Sequence, residues 1–243
     1  MKELRFAFSV DYDWASEAVL EYALDIFFKE NIPLTIFATH NSDFVLKHCK
    51  SNQNIELQVH PNFCPNSSHG NSYKEVFQTC EQIQSEKTGF RCHRYFESND
   101  INDYFLANGY KYSSNICTNL NYVAPFNNRH GLLSIPLFME DGGFLFQKRE
   151  LNLNSILCKL PKSGTVVFNF HPMHIAFNSY DLSKTVNFRN SLKSEEYQNI
   201  SHETIRTYLY SKFGIRNLLF ELLAWGNLQN IQNVLLKSLI NEE

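Results

Sequence analysis

The first apolar run of this chain ends on two carboxylates. It reads Leu4-Arg-Phe-Ala-Phe-Ser-Val-Asp-Tyr-Asp13, with Asp11 and Asp13 at positions i and i+2. Side chains two apart on a strand share a face, and like charges that close repel. A cation would offset the repulsion. One carboxylate could bind a divalent metal while the other acts as a general base; a helix cap beside a surface acid is the plainer alternative. Catalytic zinc commonly takes three protein ligands and leaves one position open for water, so further ligands must come from elsewhere in the chain.

Histidines supply the candidates. His60 ends an apolar alternation in LQVHPNFCPNSSHG, and His69 follows nine positions later, after a polar loop that could fold back. Cys64 is a softer possible ligand, or else a small buried apolar side chain. The stretch GFRCHRYF places Arg91, His93, Arg94 and Tyr95 within five positions. An arginine after a short strand can pair with a carboxylate and hold it ionised. In VFNFHPMHIAFN, His171 ends a strongly β-patterned run behind an inward-facing Asn169, and suits a general acid because imidazole titrates near neutral pH. Loop packing is an equal account of His174.

Short β-patterned runs alternate with helical ones. Strands are expected over 4–10, 33–39, 55–59, 89–91, 110–113, 135–140 and 165–171. A further strand over 144–147 would be joined to 135–140 by a Gly142-Gly143 turn. Helices are expected over 16–29, 42–49, 72–85, 101–108 and 153–160, and two or three more near the C-terminus. Phe6, Phe8 and Val10 share one face of the first strand; Ala7, Ser9 and Asp11 share the other. The same split recurs before His60 and His171. In a βα barrel the bulky face packs under the helices and chemistry collects at the strand C-terminal ends. Three strands delivering an acid or imidazole to that end form a constellation. The expected fold class is therefore α/β, with parallel strands and outer helices. With no linker or repeat, residues 1–243 are expected to form a single domain, helical from about 198.

Composition narrows the function. A net charge of −3 without a basic block offers no footprint for nucleic acid. No run reaches the ~20 apolar residues of a transmembrane helix, and the N-terminus lacks a signal-peptide pattern. The six cysteines have no C-x-x-C spacing and read as reduced thiols. A cytoplasmic location is expected. The stretch FGIRNLLFELLAW has an apolar helical stripe, which more often faces a core than a membrane surface.

In sequence order these motifs resemble the polysaccharide deacetylase family, carbohydrate esterase family 4, from Leu4 to about Ser114 and again over Thr165–Asn178. FSVDYDW resembles the family's acidic motif, PLTIFATH its next strand, IELQVHPNF its histidine motif, GFRCHRYF its arginine motif and FNFHPMHI its final histidine motif. The resemblance implies a distorted (β/α)7 barrel and hydrolysis of an N-acetyl, or another acyl, group on a sugar. Asp11 would be the base and His171 the acid, with Arg91 steadying Asp11 and Tyr95 lying near the oxyanion. Asp13, His60 and His69 would hold a divalent metal, with Zn2+ as the leading candidate.

This chain departs from the family pattern. A tyrosine separates the two aspartates, Cys64 stands where a second histidine is usual, and Arg94 stands where a proline is usual. Cys64 and His93 thus remain alternatives to His69. HPNF, HPMHI and MEDGG most resemble a subgroup linked to lipopolysaccharide and capsule biosynthesis, in which Asp141 would line the site. The expected substrate is a nucleotide- or lipid-linked N-acetylated sugar; oligomeric state is left open. A metal-free hydrolase of another C–N bond on the same fold, and an inactive carbohydrate-binding protein, are the competing readings.

Overall fold

The computed structural model describes residues 3–241. Its strands are β1 (Leu4–Asp11), β2 (Leu34–Ala38), β3 (Ile55–Val59), β4 (Gly89–Phe90), β5 (Tyr112–Ser113), β6 (Phe126–Asn127), β7 (Leu133–Ser134), β8 (Met139–Glu140), β9 (Gly164–Phe170) and β10 (Gln232–Asn233). Helices α1 (Glu17–Lys29), α2 (Asp43–Ser51), α3 (Tyr73–Gln82) and α4 (Asn99–Ala107) alternate with the early strands. Then come α5 (Asp141–Phe146), α6 (Leu153–Leu157), α7 (Pro172–Ala176), α8 (Leu182–Asn190), α9 (Ser194–Gln198), α10 (His202–Tyr208) and α11 (Ile215–Leu228).

Neighbouring strands β5, β4, β3, β2, β1 and β9 are all parallel. One segment, residues 133–140, joins the two ends of this sheet. Its first half pairs with β5, where Leu133 N–H donates to Lys111 O and Ile135 N–H to Ser113 O. Its second half pairs with β9, where Phe138 N–H donates to Val167 O and Glu140 lies opposite Asn169. β7 and β8 are therefore the two ends of one closing strand, as the distorted barrel requires. β6 adds an antiparallel edge to β7, and β10 lies beside the start of β1.

The alternation along β1 sorts its side chains as its sequence implies. Phe6, Phe8 and Val10 belong to the core beneath the helices, where Phe8 meets Phe27 of α1 and Phe6 stacks with Trp225 of α11. Ala7 points inward, in a cluster with Phe37, Tyr112, Leu137 and Val167. Leu236 and Leu239 close the lower end of that interior. Tyr112 crosses the barrel because Gly89 leaves room: a Cβ there would lie 2.0 Å from the tyrosine ring.

Two expectations are corrected, and that for the stripe of FGIRNLLFELLAW holds. Residues 144–147, expected as a strand, lie in and just after helix α5. Without side chains at Gly142 and Gly143, the Glu140 carboxylate can fold back and accept both of their amide protons, capping that helix. Helices already begin at Pro172, well before residue 198, and α8 has no fully buried residue, only Leu182 and Phe188 packing partly against the core, so its stripe is weak. The stripe of α11 faces the protein: Leu218, Leu219 and Leu222 are buried. No helix among the described residues is long and apolar enough to cross a membrane.

A buried carboxylate ties the lower barrel together. Glu56 accepts hydrogen bonds from Thr35, Gln58, Tyr112 and the Lys237 amide, linking β2, β3, β5 and the C-terminal segment. Glu56→Ala strips the acceptor from these buried donors, and each unpaired group costs about 1–3 kcal/mol. Urea unfolding of the variant should show a loss of about 3 kcal/mol or more; an unchanged midpoint would mean that the network contributes nothing.

Candidate active site

Arg91 anchors the site from beneath. Its guanidinium is fully buried and donates to Ser114 O through Nε (2.9 Å), Ser114 Oγ through Nη2 (2.8 Å) and Ser9 Oγ through Nη1 (3.0 Å). Nη1 also reaches Asp11 Oδ1 at 2.8 Å, and the group lies 4.1 Å above the Phe37 ring. Asn169 completes the set by donating to Asp11 Oδ2 at 2.9 Å. Burial alone would raise the Asp11 pKa. Arg91 above all, with His60 and His171, outweighs it and holds the carboxyl below its ordinary range.

Asp13 leaves the strand. Tyr12 makes the last sheet-like bond, to Phe37 O, and the chain then turns through Asp13 and Trp14 at φ of 45° and 60°. Left-handed backbone is uncommon outside glycine and often marks a functional turn. Asp13 does not cap α1, since Ser16 does so with its own hydroxyl. Instead Asp13 Oδ1 meets His60 Nε2 at 3.2 Å and His93 Nδ1 at 2.9 Å. One oxygen or nitrogen from each of these residues lies within 4.8 Å of the others. Burial would raise the Asp13 pKa, but hydrogen bonds from His60 and His93, with His171 nearby, press it well below the carboxylate range.

His69, expected as a metal ligand, has another task. Its Nδ1 accepts the Asn62 amide at 3.1 Å and its Nε2 donates to Thr39 O at 2.9 Å, so both nitrogens are spent on backbone. Burial pushes its pKa down to about 4, which keeps it neutral and able to make both bonds. The ring thereby ties the loop after His60 to the end of β2. Cys64 lies outside the Asp13 group, beside a small cavity formed with Phe63 and Tyr73. Of the alternatives, His93 is the one brought to Asp13.

Tyr95, expected near the oxyanion, follows His93 and Arg94 in the same turn. Its amide donates to Cys92 O at 2.9 Å, so that N–H is not free for an oxyanion. Its hydroxyl, by contrast, is buried without a hydrogen-bond partner, and burial, Glu140 and Asp11 raise its pKa well above the ordinary value.

His171 stands at the end of β9, and Asp141 at the end of the closing strand faces it. Asp141 Oδ1 takes His171 Nδ1 at 2.6 Å, and Asp141 Oδ2 takes the His171 amide at 2.8 Å. This double grip leaves Nε2 pointing at Asp13 Oδ2, 3.5 Å away. Burial would lower the His171 pKa, but Asp141, then Asp13 and Glu140, raise it well above 6.5. Burial and the Asp141 charge push Glu140 up to about 7, against the opposing pull of His171. His174 packs beside His171, its ring 5.7 Å away, and its Nδ1 is buried without a partner.

A cleft of about 610 Å³ opens on Asp13 and His171, and Glu140, His174, Arg94 and Arg189 are also among its lining residues. That volume is within the range of ligand-binding clefts. One carboxylate and two imidazoles form a donor set suited to a divalent cation such as zinc. Beside it stand a buried carboxylate held ionised by Arg91 and, on the cleft, an imidazole oriented by Asp141, a base and acid pair.

The sequence profile of the WbmS-like polysaccharide deacetylases matches residues 8–204. Among solved structures, the chain resembles a candidate polysaccharide deacetylase involved in O-antigen biosynthesis, WbmS from Bordetella bronchiseptica. The TM-score is 0.80 at 24% identity, over 91% of this chain and 90% of that one. A 4-alpha-glucanotransferase from Thermococcus litoralis gives a TM-score of 0.49 at 11% identity, over 100% of this chain and 38% of that one. No curated protein sequence matches. The profile spans most of the chain, and the chain belongs to the WbmS-like family of polysaccharide deacetylases, a family of carbohydrate deacetylases.

Proposed function

We propose that this protein removes an N-acetyl group from a sugar, or from a carrier-linked sugar precursor, during assembly of a surface polysaccharide, and that it does so with a divalent cation held by Asp13, His60 and His93. The observation that carries the reading is the meeting, at the C-terminal ends of the strands, of an arginine-held carboxylate, a nitrogen–oxygen donor trio and an acid-held histidine. The family match supports the deacetylation, and the involvement of the Bordetella protein in O-antigen biosynthesis supports the setting.

When bound, the cation would supply Lewis acidity for water and the acyl oxygen. The protein's own groups account for the proton movements. Asp11 Oδ1 and Oδ2 are fixed by Arg91 and Asn169, so the carboxylate is ionised and oriented to accept a proton from the attacking water. The water oxygen bonds to the acetyl carbon, and the carbon–nitrogen bond breaks to give acetate. An amide nitrogen is too poor a leaving group to depart as an anion. With Nδ1 committed to Asp141, His171 delivers the proton to that nitrogen from Nε2. The Tyr95 hydroxyl, buried and without a partner, is the protein donor available to the oxyanion.

Metal content of the purified protein tests the ligand set. Wild type should carry about one divalent cation per chain. Asp13→Ala and His93→Ala should lose it, whereas His69→Gln should keep it; retention by His93→Ala with loss from His69→Gln would overturn the assignment. Asp11→Asn, which keeps an acceptor for Arg91 but removes its charge, should lose stability yet retain the metal in the folded protein and release acetate from an N-acetylated sugar substrate about 10²-fold or more slowly. Wild-type rates in that variant would remove Asp11 from the chemistry.

His69 adds a pH dependence. Its folded pKa, about 4, lies below the unfolded value of 6.5, so the stability it confers is full above 6.5 and is lost as pH falls toward 4. Denaturation curves between those values should be steeper in pH for wild type than for His69→Gln, and identical slopes would refute the neutral-histidine account.

A further inference from the structure

The charges of the cleft do not balance locally. Its acidic side chains are engaged: Asp13 by His60 and His93, and Glu140 by the Gly142 and Gly143 amides and by His171. Its arginines are not. Among the described residues Arg94 makes no ion pair and no hydrogen bond. It projects from the turn that carries His93, with its own backbone in the left-handed region at φ 56° and ψ 25°. Arg189, on α8, touches no carboxylate either. Its guanidinium lies 4.4 Å above the Tyr197 ring, and Nη1 makes one long bond of 3.4 Å to Leu192 O.

An acetamide on a neutral sugar has no use for two guanidinium groups. A planar guanidinium matches carboxylate or phosphate oxygens with paired N–H donors, and such charge-assisted bonds are stronger than neutral ones. The stacking of Arg189 on Tyr197 holds its plane before any ligand arrives, which reduces the entropy lost on binding. Arg94 is held less by its side chain than by its backbone, in a turn that Tyr95 and Cys92 close.

Resting on the deacetylase reading above, we infer that the sugar this protein acts on carries an oxyanion, a carboxylate on the ring or a phosphate linking it to a carrier, and that Arg94 and Arg189 grip that group. Both are specificity-determining residues. They select the substrate by charge, while Asp11 and His171 handle its protons.

Three probes separate the possibilities: N-acetylglucosamine, the corresponding N-acetylglucosaminuronate, and N-acetylglucosamine 1-phosphate. Their affinities are measured calorimetrically in Asp11→Asn, and acetate release is measured in the otherwise unaltered enzyme. At least one anionic probe should bind about tenfold or more tighter than the neutral sugar, and whichever is preferred names the source of the oxyanion. Arg94→Gln and Arg189→Gln should each cut that preference severalfold, mainly through KM.

Equal affinity for all three probes, or no binding by any, overturns the inference. So does a preference that survives the double variant Arg94→Gln/Arg189→Gln, since the metal alone would then attract the anion. An equal fall of kcat on neutral and anionic sugars would make Arg94 a transition-state donor and would likewise refute it. Absence of acetate release from every probe, with the arginine-dependent binding intact, would instead sink the deacetylase reading and leave the anion site standing.

Discussion

The buried contact between Arg91 and Asp11 is the constraint on which the upper half of this protein depends. A guanidinium with no exposure to solvent is tolerable only if its charge is matched and its protons are placed. Ser9 and Asp11 from β1, Ser114 just after β5 and Asn169 from β9 all contribute to that requirement. The interior facing the site is polar for this reason. Removal of any one partner would leave a charge or donor in a place where water cannot replace it, so the barrel is obliged to keep these strands in register around the arginine.

The cleft is built by division of labour between strand ends and turns. Strand ends carry groups that must not move: Asp11, His60 and His171. Turns carry groups that must be aimed, and several of these residues adopt left-handed backbone, namely Asp13, Trp14, Arg94 and Tyr95. Strain of about 1–3 kcal/mol per such residue is typical. Here it brings the Asp13 carboxylate and the His93 imidazole within 2.9 Å of each other although they are 80 positions apart in the chain.

Much of this arrangement was legible in the sequence, and for a physical reason. Burial of one strand face forces a two-residue alternation, so the inward positions of β1, β3 and β9, and the polar groups that end them, could be read directly. What could not be read depends on contacts with backbone. His69 and His93 are both histidines in polar loops; only the fold shows that the first spends its nitrogens on Asn62 and Thr39 while the second faces Asp13. The segment 144–147 follows a strand and has three large apolar residues, yet it is helical up to Phe146 because Glu140 caps two glycine amides. Helix α8 has no fully buried residue, and only Leu182 and Phe188 pack partly against the core, so its period is weak.

The closing strand has a consequence for how the proton-handling groups are mounted. Residues 133–140 belong to β5 at one end and to β9 at the other, and few ladder bonds hold either half. With β4, which has one register pair to β3 and two to β5, this seam is among the thinly paired parts of the ring. Glu140 and Asp141 ride on its end, whereas Asp11 ends β1, which runs beside β9 over most of its length and beside β2 over its second half. The barrel thus mounts its proton-donating side on a short, shared strand and its base on the tip of its most extensively paired one.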